Sequence, residues 1–357
     1  MTGIELQKLS KRYGDFEALS DITFSIGDGE FCVILGSSGS GKTTLLNLIS
    51  GMDRPTGGDI FFGEKNVNNL DPKGRNIAMV FQDYALYPHM TVYQNMAFPL
   101  KVNRVPREKA DRLVRETAGL LSIDLLLERK PRELSGGQAQ RVALGRALVR
   151  NPSVFLMDEP LSNLDAKIRS QVRTELKLLH RKLGKTFIYV THDQQEAMAL
   201  ADKIIIINRG KVEQIGTPQE IYASPGNIHV ASFIGDPPMN FFQVEEDGLS
   251  FVSGAIKLES HPGDHTPVKI GIRPESISMT PISREHVKFE VEIFTYEMFG
   301  AYSVITAGMS SGTELKIRST EREIESGKRQ VYVALEDIHV FDYETGLRRN
   351  EGTKVTV

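Results

Sequence analysis

A glycine-rich loop near the N-terminus has the residue types and the spacing that hold a phosphate group. The stretch GSSGSGKTT contains the pattern G-x-x-x-x-G-K-T. Its glycines let backbone N–H groups point at phosphate oxygens, and a following helix adds the positive end of its dipole. Lys42 is expected to reach the β- and γ-phosphates of a nucleotide, and the Thr43 hydroxyl to ligate Mg²⁺. The residues expected to bind the nucleotide here are Gly36, Ser37, Ser38, Gly39, Ser40, Gly41, Lys42, Thr43 and Thr44.

The segments on either side of this loop fit the same interpretation. The preceding run EFCVILG is apolar, which is typical of a parallel strand covered on both faces. The following segment TTLLNLISG puts Leu45, Leu46 and Ile49 on one helical stripe, with Gly51 as the expected C-cap. A flexible Gly/Ser loop is the competing interpretation, and the strand–loop–helix order argues against it.

An acidic pair follows a second apolar run. In VFLMDEP, four apolar residues lead to Asp158 and Glu159, and α/β sheets bind ligands at the carboxyl ends of such strands. Asp158 fits a magnesium ligand, and Glu159 fits the base that polarises an attacking water molecule. An acidic pair standing alone is also compatible with a helix cap. The phosphate loop in the same chain favours the catalytic interpretation.

The stretch LSGGQ precedes a run whose apolar residues recur at helical spacing. It predicts a second helix N-terminus with exposed N–H groups and a serine hydroxyl, suited to a second anion contact. In isolation a Ser-Gly-Gly stretch is usually a turn, but the order of the motifs favours the anion contact. The residues of this loop are Ser135, Gly136, Gly137 and Gln138.

Length and composition limit the class of protein. A chain of 357 residues is too long for one compact core, so two domains are expected. A net charge of -3 gives no support for a protein that coats nucleic acid. The single cysteine, Cys32, excludes an internal disulfide framework and a thiolate metal cluster built from this chain alone. Its place in FCVILG predicts a buried small hydrophobe.

The sequence contains no signal for membrane insertion. Its first residues, MTGIELQKLSKRYGD, lack the apolar core of a signal peptide, and no segment approaches the ~20 apolar residues that cross a bilayer. We therefore expect a cytosolic protein that acts on a membrane only through a partner.

Two regions with different patterns are expected. Up to about residue 235, strand-like apolar runs alternate with helical segments, including a charged helical region from Val105 to Glu133. Turn formers then cluster in SPGN and GDPPMN, and the segments after them are short and strand-like. This pattern predicts a small all-β barrel, with hairpins at Asp247-Gly248 and Ser311-Gly312.

With these motifs in this order, residues Ile4 to Gly235 resemble the ATPase subunit of an ATP-binding-cassette (ABC) transporter. The resemblance implies an α/β P-loop ABC ATPase domain over residues 1–235, with a helical subdomain at about 84–150. It also implies ATP with Mg²⁺ as the bound ligands and an Mg-dependent ATP hydrolase activity.

Further residues take their roles from this resemblance. Tyr13, in KRYGD, would stack on adenine, and Gln82, in VFQDY, would contact Mg²⁺ and link the nucleotide to a membrane partner. His192, in VTHD, would be the switch histidine that contacts the γ-phosphate, and Asp165, in SNLD, would belong to a loop that crosses between subunits. The implied catalytic residues are Lys42, Glu159 and His192, and the implied metal ligands are Thr43, Gln82 and Asp158.

The same family implies an assembly. Two copies face head to tail, so that Ser135 and Gly137 of one copy bind the γ-phosphate held by Lys42 of the other. Closing and opening of this homodimer is passed to two membrane permease subunits, on which an extracytoplasmic solute-binding protein acts. The implied location is the cytoplasmic face of the cell membrane, as a peripheral protein, and no nucleic-acid partner is expected.

The second region narrows the subfamily. GIRPES and the linker GDPPMNFF resemble the C-terminal regulatory domain of importer ATPases of the maltose and glycerol-3-phosphate type, an OB-like β-barrel expected over residues 236–357. The implied function is ATP-driven import of a sugar or glycerol-3-phosphate. Importers of spermidine, sulfate or iron have similar tails, and a soluble ABC ATPase acting on ribosomes or DNA is a more distant alternative. A P-loop kinase is disfavoured because such enzymes lack LSGGQ and VTHD.

Overall fold

The chain forms two compact units, which divide after Pro218. The computed structural model describes residues 3–244, 249–251, 254–259, 268–310, 312–321, 324–349 and 354–356. The hairpin expected at Asp247-Gly248 lies outside the described residues.

The first unit alternates strands and helices, as the sequence predicts. Its strands are β1 (Ile4–Tyr13), β2 (Phe16–Ile26), β3 (Phe31–Leu35), β4 (Gly57–Phe62), β5 (Lys65–Asn66), β6 (Ile77–Val80), β7 (Val154–Asp158), β8 (Thr186–Thr191), β9 (Lys203–Asn208) and β10 (Lys211–Gly216). Its helices are α1 (Lys42–Ser50), α2 (Val92–Val102), α3 (Arg107–Leu120), α4 (Gly136–Leu148), α5 (Ala166–Leu183) and α6 (Gln194–Leu200).

These strands form two sheets. One is antiparallel with the order β2-β1-β4-β5, and the other has six strands in the order β10-β9-β3-β8-β7-β6. In the second sheet β9, β3, β8, β7 and β6 run parallel, and β10 pairs antiparallel at one edge. Strands β3 and β8 are buried along their whole length, which explains their apolar runs without alternation. Cys32, in β3, is buried as predicted.

Helix α1 packs in the core of the first unit. Leu6 and Ile60 of the antiparallel sheet, Ile34 of β3 and Leu45 of α1 belong to one buried apolar cluster. Because both sheets contribute to this cluster, the position of α1, and of the loop that leads into it, is set by packing on more than one side.

The C-terminal carbonyls of α1 are satisfied by two neighbours. Gly51 has φ 80° and its N–H bonds to Leu48 O, as the predicted C-cap requires. The Arg75 guanidinium, 3% exposed, donates to the carbonyl oxygens of Leu48 at 2.7 Å and Ile49 at 2.9 Å. Burial lowers the pKa of Arg75 to about 10. A cation at this end of the helix also complements the helix dipole.

The segment between β6 and β7 contains the helices α2, α3 and α4. Helix α2 begins with a capping box formed by Thr91 and Gln94. The fully buried Asn95 accepts from Tyr87 N at 2.9 Å and donates to Thr91 O at 3.0 Å, so it holds the loop that precedes the helix. In the described part of the chain, no helix is both long and apolar enough to cross a membrane.

The second unit is built mainly from antiparallel strands. After the short helices α7 (Pro218–Ala223) and α8 (Ile228–Phe233) come β11 (Asn240–Val244), β12 (Leu249–Phe251), β13 (Gly254–Glu259), β14 (Val268–Ile272), β15 (Ile277–Ser278), β16 (His286–Met298), β17 (Ser303–Met309), β18 (Glu314–Ser319), β19 (Gly327–Ala334), β20 (Ile338–Asp342) and β21 (Lys354–Thr356). They form sheets with the orders β11-β14-β20, β12-β13-β21 and β15-β19-β16-β17-β18. This architecture agrees with the predicted fold class, an α/β ATPase unit followed by an all-β, OB-like unit.

Residues 219–235 group with the second unit, whereas the sequence analysis places the domain boundary after Gly235. Arg273 accounts for the grouping. Its guanidinium donates to Tyr222 O at 2.6 Å and to Ile234 O at 2.8 Å, and it stacks 3.8 Å from the centre of the Tyr222 ring. One buried side chain next to β14 therefore ties both α7 and the end of α8 to the strands.

Replacing Arg75 with Met should lower the free energy of unfolding by about 2–3 kcal/mol, since the buried carbonyls of Leu48, Ile49 and Leu70 lose their charged donor while the aliphatic volume is retained. Urea denaturation near neutral pH measures the change. Arg181→Met, at an exposed arginine of α5, is the matched control. Equal stability of the two variants would contradict the capping role of Arg75.

Candidate functional site

Four neighbouring parallel strands bring the predicted motifs to one edge of a sheet. The order β3-β8-β7-β6 places the loop after β3, His192 after β8, Asp158 at the end of β7 and Gln82 after β6. The register aligns the strand ends, because Leu35 pairs with Thr191, Asp158 with Val190 and Val80 with Met157. The carboxyl edge of such a sheet is where α/β proteins bind ligands.

The phosphate loop is folded around the ammonium group of Lys42. This side chain is 5% exposed, and its Nζ donates to the carbonyl oxygens of Gly36 at 2.9 Å and Ser37 at 2.8 Å. Ser37, Ser38 and Gly39 at the outside of the loop are exposed, as is Thr43 at the start of α1. The outer residues of the loop are therefore accessible, whereas the ammonium group of Lys42 is buried.

A close contact and a left-handed backbone angle explain two of the glycines. A Cβ at Gly36 would lie 2.2 Å from Ile207 O and 2.6 Å from Ser40 Oγ. Gly41, the N-cap of α1, has φ 107°, a left-handed value that side chains disfavour. The Ser40 hydroxyl is buried without a hydrogen-bond partner among the described residues. The loop thus has an unused polar group as well as unused N–H donors at a helix N-terminus.

A buried cation and two partly buried carboxylates meet behind the loop. Lys42 Nζ lies 4.0 Å from Glu159 Oε1. Burial lowers the pKa of Lys42, and the Glu159 and Asp158 carboxylates oppose that shift. Burial and the neighbouring Glu159 raise the pKa of Asp158, and Lys42 opposes the change. Two carboxylates held against one cation leave a net negative charge, which a divalent cation would neutralise.

Glu159 connects the two sides of the site. Its Oε2 lies 2.9 Å from His192 Nδ1, while its other oxygen faces Lys42. Glu159 has φ 42°, in the left-handed region, and its backbone is held by Val190 O, which accepts from Glu159 N at 3.0 Å, and by Ser162 Oγ, which donates to Glu159 O at 2.8 Å. A residue held in a strained conformation by its neighbours is a common feature of functional sites.

The loop before α5 lies beside the same edge. Asn163 Nδ2 donates to Gln82 O at 3.0 Å, which joins this loop to the segment after β6. Asp165 is the N-cap of α5, and its Oδ1 accepts from Ile168 N at 3.0 Å. Its carboxylate is therefore engaged within this chain, in a role that the sequence analysis did not assign to it.

The Ser135–Gln138 loop forms the second helix N-terminus that the sequence predicts. Ser135 is the N-cap of α4 and shares a capping box with Gln138. A Cβ at Gly136 would lie 2.8 Å from Leu164, and one at Gly137 would lie 3.0 Å from Ile168, so the loop packs tightly on the start of α5. Within the described ranges, no hydrogen bond or ion pair joins this loop to the phosphate loop. The structure brings the other motifs together but leaves this one separate.

Tyr13, at the end of β1, has a fixed hydroxyl group. Its OH donates to Asp53 Oδ2 at 2.6 Å, and this hydrogen bond is the main cause of its raised pKa, to which the Thr44 side chain makes an opposing contribution. Partial burial raises the pKa of Asp53, but the hydrogen bonds from Lys11, Tyr13 and Arg54 outweigh it and lower the pKa overall.

Sequence reasoning missed several residues that support the site. Arg146 of α4 donates to Ala85 O at 2.6 Å and Tyr84 O at 3.1 Å, where both acceptor residues have positive φ. Asn95 holds the next part of the same loop. Asn95 had a detectable signal, since a polar residue among the apolar positions of α2 indicates a buried hydrogen bond. Arg146 gave no such signal, because its partners are about 60 residues away.

Comparisons with known proteins agree with this geometry. Residues 19–162 match the family described as ABC transporter. The chain is 47% identical to the trehalose/maltose import ATP-binding protein MalK of Thermococcus litoralis, over 97% of this chain and 99% of the relative. It is 45% identical to the sn-glycerol-3-phosphate import ATP-binding protein UgpC of Cupriavidus metallidurans, over 98% and 99%.

Solved structures show the same likeness over part of the chain. A chain of the cbiONQ ABC transporter complex from Clostridium perfringens superposes with a TM-score of 0.58 and 31% identity, over 62% of this chain and 90% of that chain. The ADP conformation of another ATP-binding cassette of an ABC transporter gives a TM-score of 0.56 with 26% identity, over 63% and 96%. Near-complete coverage at almost half identity, together with the shared fold, establishes that this chain is an ATPase of the ABC transporter family, among the ATP-binding proteins of importers.

Proposed function

We propose that this chain is the ATP-hydrolysing subunit of an importer for a sugar or for sn-glycerol-3-phosphate. The observation that carries the hydrolytic role is the position of Glu159, whose carboxylate contacts His192 at 2.9 Å and lies 4.0 Å from Lys42 of the phosphate loop. The solute class rests on relatives named for trehalose/maltose and for sn-glycerol-3-phosphate, each aligned over nearly the whole chain.

The residues present fit a nucleoside triphosphate with Mg²⁺. The exposed outer face of the phosphate loop offers backbone N–H groups, and the unpartnered Ser40 hydroxyl lies within the loop. Thr43, Gln82 and Asp158 are oxygen donors of the type that Mg²⁺ prefers, and we assign them as its ligands. When bound, Mg²⁺ neutralises charge on the β- and γ-phosphates.

Lys42 and Glu159 have different roles in the proposed hydrolysis. Lys42 turns from the carbonyl oxygens of Gly36 and Ser37 to the γ-phosphate, where it stabilises the negative charge that spreads over the transferring group. Glu159 accepts the proton of the attacking water or polarises it, and His192 holds the Glu159 carboxylate and contacts the γ-phosphate. Tyr13 stacks on the adenine base.

We further propose that two copies complete each site head to tail. Ser135 and Gly136 are exposed at the N-terminus of α4, and their loop makes no hydrogen bond or ion pair with the phosphate loop across the described ranges. A helix N-terminus of this kind is suited to a γ-phosphate held by Lys42 of a second copy. In the same assembly Asp165 lies in the loop that crosses between the copies.

A groove on the first unit is the proposed site of the membrane partner. A groove of about 330 Å³ is lined by Tyr87, Phe98 and Val102 together with Arg146, which clamps the loop after Gln82. We propose that each copy receives a segment of one of two permease subunits in this groove, with an extracytoplasmic solute-binding protein acting through the permeases. This places the chain at the cytoplasmic face of the membrane as a peripheral subunit.

Lys42→Ala should reduce ATP hydrolysis by at least about a hundredfold, because the charge that stabilises the transferring phosphoryl group is removed. Steady-state phosphate release in the presence of Mg²⁺ measures the effect. Lys65→Ala, at an exposed lysine of β5, is the control and should retain the full rate. Unchanged turnover in Lys42→Ala would overturn the assignment of the site.

Glu159→Gln should trap an ATP-bound dimer in solution, because the variant binds ATP but lacks the carboxylate that acts on water. Size-exclusion chromatography with light scattering, at saturating ATP and Mg²⁺, gives the mass. Adding Ser135→Glu should return the variant to a monomer, since a second negative charge would face the γ-phosphate of the partner copy. Detection of monomers alone for Glu159→Gln would count against the dimer.

Purification of the tagged chain from detergent-solubilised membranes of its source should recover two polytopic permease subunits, identified by mass spectrometry. Binding assays on the solute-binding protein encoded with them should then show affinity for a sugar or sn-glycerol-3-phosphate. Affinity for spermidine, sulfate or iron would support the import function and contradict the proposed solute. Recovery of ribosomal or DNA-repair proteins without a membrane subunit would refute the import function and leave the ATPase site in place.

A further inference from the structure

Asp53, in the connection between α1 and β4, is held by three hydrogen bonds that converge on its carboxylate. Lys11 Nζ donates to Oδ1 at 2.6 Å, Arg54 N donates to the same oxygen at 2.7 Å, and Tyr13 OH donates to Oδ2 at 2.6 Å. Lys11 is itself 8% exposed and also donates to Arg54 O at 2.8 Å. The carboxylate is therefore held by partners other than the tyrosine hydroxyl.

The same group of residues defines the orientation of the Tyr13 ring. Tyr13 is the last residue of β1 and pairs with Phe16 across a tight turn, a position where backbone packing alone restrains a side chain weakly. The Lys11 ammonium lies 4.8 Å from the ring centre, on one face of the ring. Tyr13 is 48% exposed, so part of the ring is accessible to a ligand.

Asp53 relates this ring to the helix that begins in the phosphate loop. Asp53 N donates to Asn47 O of α1 at 3.2 Å, and α1 begins at Lys42. A nucleotide whose phosphates occupy the loop would bring its base towards the exposed part of Tyr13. An aromatic ring that is already oriented loses less side-chain freedom when a base stacks on it.

We propose that Asp53, anchored by Lys11, is a positioning residue for nucleotide binding: it holds Tyr13 in the orientation that stacks on the base of ATP. This inference rests on the proposed function, because it assigns a support to the adenine-stacking role of Tyr13. It adds Asp53, 40 positions from Tyr13 in the sequence, and its partner Lys11 to the determinants of affinity for the base. In this proposal Asp53 does not contact the reacting atoms.

The test of this role compares a ligand that has a base with a ligand that has phosphates alone. Asp53→Ala and Tyr13→Phe should each raise KM for ATP by about tenfold, as expected when a charge-assisted hydrogen bond is lost, with the effect on KM and not on kcat. The inhibition constant of tripolyphosphate, which has phosphates but no base, should stay unchanged in both variants. The double variant should be no worse than either single variant, because both changes break the same hydrogen bond.

Glu64→Ala, at an exposed carboxylate in the turn after β4, is the control and should retain the KM for ATP. Tyr13→Phe leaves the Lys11–Asp53 ion pair intact, so it tests the hydroxyl contact even where Asp53→Ala disturbs the fold. Equal weakening of ATP and tripolyphosphate, or additive effects in the double variant, would overturn the positioning role alone. Failure of the unmodified chain to bind ATP would instead overturn the proposed function, and the positioning role with it.

Discussion

The parallel register of β3, β8, β7 and β6 is the constraint on which the site depends. These strands end together, so residues that are more than a hundred positions apart in the chain meet at one edge. A shift of one residue between β7 and β8 would turn Asp158 to the other face and separate Glu159 from His192. The buried apolar runs of these strands therefore serve the chemistry, because their packing fixes the register.

The charges at this edge are balanced only in part. Lys42 is buried with its hydrogen bonds directed to two carbonyl oxygens, and Asp158 and Glu159 lie near it. Burial of the Lys42 ammonium group costs free energy unless its partners are fixed. The left-handed backbone of Glu159 adds a further cost in free energy. The arrangement is thus prepared for a ligand that carries its own charges of both signs, as a metal-bound nucleotide does.

The sequence predicted the parts of the site that depend on local spacing. The loop into α1, the acidic pair after β7 and the capped start of α4 each lie within about ten consecutive residues, and each was found where it was expected. The roles of Gln82, Asp165 and His192 came from family likeness and stay predictions. Asp53 and Arg146 were missed, because their function depends on pairing with residues that are distant in the chain. No local pattern encodes such a pairing.

Arg146 and Ser135 occupy the same helix, with consequences for how motion is transmitted. Ser135 caps the start of α4, and Arg146, near its end, clamps the carbonyls of Tyr84 and Ala85 beside the groove. The 11 intervening rises give a span of about 16 Å along the axis. If α4 moves as a rigid body, a displacement of the groove loop also moves the helix end that carries Ser135. The shape of the groove and the position of Ser135 would then share a single degree of freedom.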